Sequence, residues 1–222
     1  MAKEKQAEYY DEYFIESGDF QTHYKDSIYF VHWTQVIQFL RKLQQPKLLE
    51  VGCGTGQLAE YLRDEGFNHY VGFDFSKKGI DLAQKRIPEF TFFEGNALDS
   101  SSFSNAYDVA ICLEVLEHIE RDLEVIRNIE TGKRIIFSLP NFKVESHVRW
   151  FVKPRQIKAR YYKLIDITSI IPIGNIFVCH GIRKDFSPNI FQRVLKSREP
   201  IGLSSITKRL KQYHTTLLSY FR

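Results

Sequence analysis

The segment from Leu48 to Leu62, LLEVGCGTGQLAEYL, constrains this 222-residue chain more than any other. An apolar run ends in the acid Glu50, three glycines follow on alternate positions, and an amphipathic segment begins directly after them. This pattern predicts a buried parallel strand, a tight turn where the backbone approaches a ligand closely, and the start of a helix. The chain is therefore expected to bind a nucleoside at the carboxyl end of its first strand.

The spacing of the glycines decides which nucleoside fits. In a dinucleotide-binding loop the third glycine lies three residues after the second, but here that place holds Gln57, and Gly56 comes one residue early. A phosphate-binding P-loop is excluded because no Lys-Ser or Lys-Thr pair follows the loop. Glu50 would repel a phosphate and would suit a cation. These departures fit S-adenosylmethionine (SAM), which carries a sulfonium and an ammonium group and no phosphate.

The sequence EVGCGTG resembles motif I of the class I SAM-dependent methyltransferases. That resemblance implies an α/β, Rossmann-like fold with a seven-stranded, mostly parallel sheet, an antiparallel last strand, helices on both faces and an N-terminal helical lid. Beyond the first strand, we predict strands over 69–74, 90–94, 107–113, 133–140, 163–171 and 175–184, with a Pro172-containing turn joining the last two. An NAD site and an ordinary glycine turn are the alternatives.

Cofactor contacts follow from the same resemblance. Asp74 ends the second predicted strand about twenty residues after the glycine loop, where a carboxylate can accept both ribose hydroxyls; together with Ser76 it could alternatively cap the next helix. Phe75 would lie against adenine, and Asn96 stands where the family has an acid that binds the adenine amino group. The predicted cofactor-binding residues are Glu50, Gly52, Cys53, Gly54, Gly56, Asp74, Phe75, Asn96, Ala97 and Leu113.

The motif EVLEHI, residues 114–119, resembles a signature of ubiquinone-biosynthesis O-methyltransferases, and a similar motif binds a metal in small-RNA 3′-end methyltransferases. On a helical turn, Glu114, Glu117 and His118 would share one face and could hold a Mg- or Mn-like cation with His147. A second interpretation is that Glu117 and His118 cap the next helix. A third is that His118 acts as a base, since the ordinary histidine pKa is near neutrality. We predict His118, His147 and Glu114 as catalytic and assign no metal ligand.

Two other segments offer substrate contacts. Residues 146–151 resemble an H-x-R-x-F segment of the same relatives, which would bring His147 and Arg149 to the mouth of the cleft, with Pro154 opening the helix that follows. The aromatic-rich residues 1–46 predict one or two helices over the cleft. The predicted substrate residues are Tyr24, His32, Trp33 and Arg149.

Composition predicts one compact domain, divided into the lid (1–46), the methyltransferase core (47–186) and a basic helical tail (187–222). Three cysteines placed in core elements predict reduced thiols and a cytoplasmic location. The most apolar stretch, 164–178, is too short and broken to span a bilayer. The tail carries a net +6, and since the whole chain carries +4, residues 1–186 carry −2.

This charge distribution does not predict a nucleic-acid partner, because basic residues would then cover the catalytic body as well. The tail could lie on an anionic membrane, touch nucleic acid, contact another subunit or form a solvated face. We therefore predict a SAM-dependent methyltransferase that acts on an O or N atom of a small-molecule or carrier-linked acceptor by in-line displacement. The alternatives are a catalytically silent SAM-binding module acting through the tail, an RNA-end methyltransferase with the metal described above, and an NAD-dependent oxidoreductase.

Overall fold

A computed structural model describes residues 3–185 and shows an α/β fold built on one seven-stranded sheet. The strands are β1 (Leu48–Val51), β2 (Tyr70–Asp74), β3 (Thr91–Glu94), β4 (Val109–Cys112), β5 (Arg134–Pro140), β6 (Ile165–Ile173) and β7 (Ile176–Arg183). The helices are α1 (Ala7–Glu16), α2 (Phe30–Leu40), α3 (Gln57–Asp64), α4 (Lys77–Arg86), α5 (Asp122–Asn128) and α6 (Pro154–Tyr161).

The order of strands across the sheet is β3-β2-β1-β4-β5-β7-β6. All neighbouring pairs from β3 to β5 are parallel, and β7 runs antiparallel to both β5 and β6. The chain thus leaves β1 toward one edge and returns to the other side at β4, so a crevice opens between the carboxyl ends of these two strands. The predicted fold, including its antiparallel last strand, is confirmed.

Successive side chains of each central strand point to opposite faces of the sheet, and each face packs into its own apolar layer. In β4, Val109 and Ile111 pack in the layer that contains residues of α2, α3 and α4. Ala110 and Cys112, on the opposite face of the strand, pack with residues of α5 and α6. Helices therefore cover both faces of the sheet and leave its strand ends for the site.

The turn between the last two strands differs from the prediction. Pro172 lies inside β6, while Gly174, with φ of +57°, and Asn175 form the turn. Proline is tolerated there because β6 is the outer strand of the sheet, where one row of backbone N–H groups needs no partner strand. The predicted start of α6 at Pro154 is confirmed.

The predicted basic tail lies outside the described residues, and the three-part division of the chain stays a prediction. Within residues 3–185, no helix has both the length and the apolar character that a bilayer crossing requires.

Candidate functional site

The glycine loop joins β1 to α3 at the crevice. Gly52 and Gly56 have φ of +73° and +78°, a conformation that other residues rarely adopt. A Cβ atom on Gly52 would also lie 2.4 Å from the side chain of Val115, in the loop after β4. On Gly56 it would lie 3.1 Å from Ala83 of α4. Glycine is therefore required here both for the backbone turn and for close packing across the crevice.

Asp74 ends β2 beside this loop, as predicted. Its carboxylate accepts hydrogen bonds from the backbone N–H groups of Gly54 and Ser76, each at 2.9 Å. Burial raises the pKa of Asp74 to about 6, although these hydrogen bonds oppose the shift. Ser76 caps α4 by accepting a hydrogen bond from the N–H of Gly79 at 3.0 Å. The carboxylate is thus held at the edge of the predicted ribose position, and ribose binding stays a prediction.

Glu50 lies beneath the glycine loop and accepts a 2.5 Å hydrogen bond from the hydroxyl of Tyr70. Burial raises the pKa of Glu50 to about 8, the hydrogen bond from Tyr70 lowers it, and the nearby charge of Asp74 raises it. A cationic ligand in the crevice would favour the ionised form of Glu50. This arrangement is compatible with the predicted preference for a sulfonium or ammonium group.

The other predicted cofactor residues lie around the same crevice. Phe75 follows Asp74 and packs against Tyr10, with ring centroids 5.2 Å apart. The side-chain carbonyl of Asn96 accepts a hydrogen bond from the N–H of Leu98 at 2.9 Å and keeps a second lone pair. The remaining members of the predicted set are half-buried or buried apolar side chains, namely Cys53, Ala97 and Leu113.

Glu114 opens the loop after β4 with a φ of +54°, which is unusual for a residue other than glycine. Ser138 of β5 fixes it there, because its hydroxyl accepts a hydrogen bond from the Glu114 N–H at 2.7 Å. The same hydroxyl donates to the Glu114 carboxylate at 2.6 Å. Burial raises the pKa of Glu114. The predicted helical turn over 114–118 is wrong at its first residue.

A cluster of Glu117, His118 and His147 lies in the loops after β4 and β5, and one ligand atom from each residue lies within 4.8 Å of the others. Nδ1 of His118 is 3.0 Å from the carbonyl of Ser146, and Nδ1 of His147 is 3.2 Å from the carbonyl of Phe142. These contacts assign the proton to Nδ1 of each ring, which presents Nε2 as the ligand or acceptor atom. We call Glu117, His118 and His147 the acceptor cluster.

Glu117 does not cap the following helix, so that interpretation is wrong. The helix α5 begins five residues later at Asp122, without a capping side chain at Arg121. Glu117 is fully buried, and neither of its carboxylate oxygens has a hydrogen-bond partner. Burial and the nearby Glu114 raise its pKa well above the ordinary range. His118 likewise makes its Nδ1 contact with a carbonyl rather than with α5.

The hypothesis that His118 acts as a base assumed a pKa near neutrality, and this assumption does not hold in the structure. Burial lowers it to about 4, and burial also lowers the pKa of His147. Both rings are therefore neutral in the physiological range, which makes His118 a weak proton acceptor on its own. Neutral imidazoles remain good hydrogen-bond acceptors and good metal ligands.

The acceptor cluster fits a divalent cation. Two neutral imidazoles and a carboxylate are a ligand set that transition-metal ions accept, and backbone carbonyls orient both rings in the way that metal-binding histidines are usually oriented. The unpartnered oxygens of Glu117 favour a positively charged guest, because a buried polar group without a partner is costly and a cation would favour the ionised form of this carboxyl group, whose pKa burial otherwise raises. Glu114 adds a second carboxyl group beside Glu117.

Two of the predicted substrate residues make contacts within the protein, and their contact with substrate stays a prediction. Tyr24 is buried, stacks on Tyr61 and donates its hydroxyl to Asp64 of α3. Arg149 donates to the backbone carbonyls of three residues in the loop after β4, and it pairs with Asp122 at 3.4 Å. The three carbonyls are those of Leu116, Ile119 and Glu120. Arg149 thus positions the loop that carries Glu117 and His118.

The other two predicted substrate residues lie on α2. Trp33 is buried in the apolar layer, and its contact with substrate stays a prediction. His32 bonds through Nε2 to the carbonyl of Ile173 at 3.2 Å, while its Nδ1 is buried without a partner. Its role as a substrate contact stays a prediction. Tyr29, one turn earlier on the same helix, is half-buried near Glu114.

The helix α1 lies over the crevice and contributes side chains that the sequence analysis did not select. Phe14 packs on the glycine loop, where a Cβ atom on Gly54 would be 3.3 Å away. Asp11 accepts hydrogen bonds from the hydroxyl of Ser76 at 2.5 Å and from the N–H of Lys78 at 3.1 Å. The only sequence signal for these contacts was the three-residue spacing of Asp11 and Phe14, which places them on one face of the helix.

Together, a glycine loop, a buried acid at the end of β2 and a polar cluster across the crevice define a nucleoside-binding transferase of the Rossmann-like type. Residues 26–165, more than half of the chain, match the family described as Methyltransferase domain. The chain therefore belongs to this family, is a class I SAM-dependent methyltransferase, and uses SAM as its cofactor. An NAD-dependent oxidoreductase is thereby set aside.

Relatives support the same family. The ubiquinone biosynthesis O-methyltransferase of Vibrio parahaemolyticus is 32% identical over 157 residues, covering 58% of this chain and 65% of that protein. The chain spans between about half and two thirds of the length of the ubiquinone biosynthesis O-methyltransferases it matches. A structure from Pyrococcus horikoshii OT3 aligns with a TM-score of 0.62 at 18% identity, over 78% of this chain and 99% of its own.

A further solved structure shares the fold and contains the demethylated cofactor product. It is magnesium protoporphyrin IX methyltransferase from Synechocystis PCC 6803 with bound S-adenosylhomocysteine (SAH), at a TM-score of 0.54 and 19% identity. The alignment covers 69% of this chain and 83% of that chain.

Proposed function

We propose that this enzyme transfers the methyl group of SAM to a hydroxyl oxygen of a small-molecule or carrier-linked acceptor. The observation that carries the proposal is the acceptor cluster, which places a buried carboxylate and two neutral imidazoles across the crevice from the glycine loop. A hydroxyl needs such groups because it must lose its proton as it attacks, whereas a neutral amine can attack unaided. The relative from Vibrio parahaemolyticus is likewise named as an O-methyltransferase.

The transfer is an in-line displacement in which the acceptor oxygen bonds to the methyl carbon as the carbon–sulfur bond breaks. SAM supplies the activated methyl group and leaves as SAH. Within this chain, Asp74 and the glycine loop hold the nucleoside, and the acceptor cluster holds the acceptor oxygen. The positive charge of bound SAM favours the ionised form of Glu117, which then takes up the proton of the acceptor. Ser138 positions Glu114, and Arg149 positions the loop that carries Glu117. Most of the catalysis is therefore orientation and exclusion of water.

We also propose that the acceptor cluster holds a divalent cation, with Glu114 as a neighbouring carboxylate. Such an ion would lower the pKa of a bound hydroxyl. This differs from the sequence analysis, which assigned no metal ligand. The support is the unpartnered carboxylate of Glu117 together with the orientation of both imidazoles.

Binding and activity measurements test the proposal. Calorimetry should give heat with SAH and SAM and none with NAD. Transfer of a labelled methyl group from SAM should be faster to 3,4-dihydroxybenzoate than to 4-aminobenzoate, a matched aromatic acid that offers an amine. Addition of EDTA should slow the transfer, and Mn²⁺ should restore it. Preferential methylation of the amine would refute the hydroxyl assignment.

The alternatives are less well supported. A catalytically silent module does not require a buried acid and two imidazoles across from the cofactor loop. An RNA-end methyltransferase is not favoured by a body, residues 1–186, whose net charge is −2. We retain as proposals a small-molecule partner and a cytoplasmic location, the latter supported by three buried free thiols. A membrane-surface role for the basic tail is likewise a proposal that rests on its sequence.

A further inference from the structure

Tyr10 is a residue of α1, and its side chain lies at the boundary between two groups of site residues. Its ring centroid is 5.2 Å from that of Phe75 and 6.1 Å from that of His118. Phe75 is a predicted cofactor contact, and His118 belongs to the acceptor cluster. Tyr10 therefore stands where the cofactor and the methyl acceptor have to meet.

The hydroxyl of Tyr10 is buried and has no hydrogen-bond partner. Within residues 3–185, the other buried side-chain atoms in this state are Nδ1 of His32 and both carboxylate oxygens of Glu117. Burial of a polar group without a partner is unfavourable, and such groups in folded proteins are uncommon outside functional sites. The hydroxyl of Tyr10 and the carboxylate of Glu117 lie close enough to interact electrostatically, although they are not hydrogen-bonded to each other. A guest that reaches both would satisfy them.

The placement of Tyr10 is fixed by contacts along the N-terminal segment. Asp11 bonds to the first turn of α4, as described above. Before α1, Glu4 accepts a hydrogen bond from the N–H of Glu120 at 2.7 Å, and Lys5 pairs with Glu145 at 3.0 Å. The segment is thus attached to loops on both sides of the crevice, which holds the ring of Tyr10 between them.

We infer that Tyr10 is an acceptor-binding residue whose hydroxyl donates a hydrogen bond to the oxygen that receives the methyl group. This inference rests on the proposed O-methylation and adds a residue that lies outside the sequence motifs named above. The hydrogen bond would hold the oxygen between the acceptor cluster and the methyl carbon, and it would stabilise the negative charge that the oxygen carries between loss of its proton and formation of the bond to the methyl carbon.

The Tyr10→Phe variant tests this inference because it keeps the ring and removes only the hydroxyl. We expect kcat/KM for methylation of 3,4-dihydroxybenzoate to fall about 10- to 100-fold, as for loss of a hydrogen bond to a charged group. The dissociation constant for SAH should stay within about twofold of the wild type. The thermal midpoint should not fall, since an unpartnered buried hydroxyl is removed. Tyr13→Phe is the matched control, because Tyr13 lies on the same helix and is 44% exposed.

Each outcome decides between the proposals. Wild-type kinetics in Tyr10→Phe would overturn the inference and leave the O-methyltransferase proposal intact. A parallel loss of SAH affinity would also overturn it, because Tyr10 would then serve the cofactor. A wild-type protein that binds SAH but does not methylate 3,4-dihydroxybenzoate would count against both the Tyr10 inference and the O-methylation proposal. A wild-type protein that fails to bind SAH would refute the proposed function itself. An equal loss in Tyr13→Phe would indicate a general effect on α1.

Discussion

The two sides of the crevice satisfy their buried polar groups to different degrees. On the cofactor side, Asp74 accepts two backbone hydrogen bonds and Glu50 accepts one from Tyr70. On the acceptor side, both oxygens of Glu117 and the hydroxyl of Tyr10 are buried without partners. The acids of the cofactor side are therefore satisfied by groups of the protein itself, whereas the unpartnered groups of the acceptor side are satisfied only by a guest. Unsatisfied groups are costly to the folded protein, so their concentration on one side marks where binding has its largest effect.

The largest expected effect comes from replacing the unpartnered acid of the acceptor side. Glu117→Gln should lower kcat/KM by about 100-fold or more, because the acceptor loses its proton-accepting or cation-binding group. The same change should leave the thermal midpoint unchanged or raise it, since a buried carboxyl without a donor is removed. The control is Glu124→Gln, an exposed glutamate on α5. A variant that lost stability and kept activity would contradict the contrast between the two sides.

The next largest effect should appear on the cofactor side and in binding alone. Asp74→Asn should weaken SAH binding by about 10- to 100-fold, because charged hydrogen bonds to the ribose are lost. Calorimetry with SAH measures this, with Asp81→Asn on the exposed face of α4 as the control. If SAH affinity did not change, Asp74 would have only the structural role of joining the glycine loop to α4.

Sequence reasoning predicted where the glycine loop and Asp74 lie in the fold because their signals are local, while their contacts with the cofactor stay predictions. Gly52 and Asp74 each follow directly from a strand, so a short pattern states both their type and their place. It succeeded less well for the acceptor side, where His147 meets Glu117 only through the fold. The tertiary contacts of Arg149 with backbone carbonyls leave no trace in a sequence, and the near-neutral pKa assumed for His118 could not include burial. Tyr10 was indistinguishable in the sequence from the nine other aromatic residues of segment 1–46.

Measuring the free energy of unfolding over a range of pH tests Glu50, an acid of the cofactor side that has a hydrogen-bond donor, and so sharpens the comparison between the two sides. Its pKa is raised to about 8 from an ordinary 4.5, so the folded protein holds this proton more tightly than the unfolded chain does. The resulting stability is complete below pH 4.5 and is lost as pH rises toward 8, by at most about 1.4 kcal/mol per pH unit. Glu50→Gln should therefore gain stability relative to the wild type between pH 5 and pH 8 in urea denaturation.

Bound SAM should change this dependence, because its positive charges favour the ionised carboxylate. The affinity of the wild type for SAM should then rise with pH across the same window, and that of Glu50→Gln should rise less. If the two proteins had parallel stability profiles, Glu50 would ionise normally in the folded protein, and its predicted interaction with a cationic cofactor would lose its physical basis.

The smallest effect concerns Gln57, the residue whose bulk distinguished this loop from a dinucleotide site. Its side-chain amide donates to the carbonyls of Asp19 and Thr22, at 2.9 and 3.0 Å, and so attaches the segment after α1 to the start of α3. Gln57→Leu should lower the free energy of unfolding by about 1 kcal/mol. The loss is expected to be this small because each of the two carbonyls keeps another hydrogen-bond donor. Gln84→Leu, which removes one hydrogen bond away from the lid, is the control. Because Gln57 supports the lid without touching the acceptor cluster, SAH should dissociate faster while kcat stays unchanged; a fall in kcat would show that the two sides are coupled through α1.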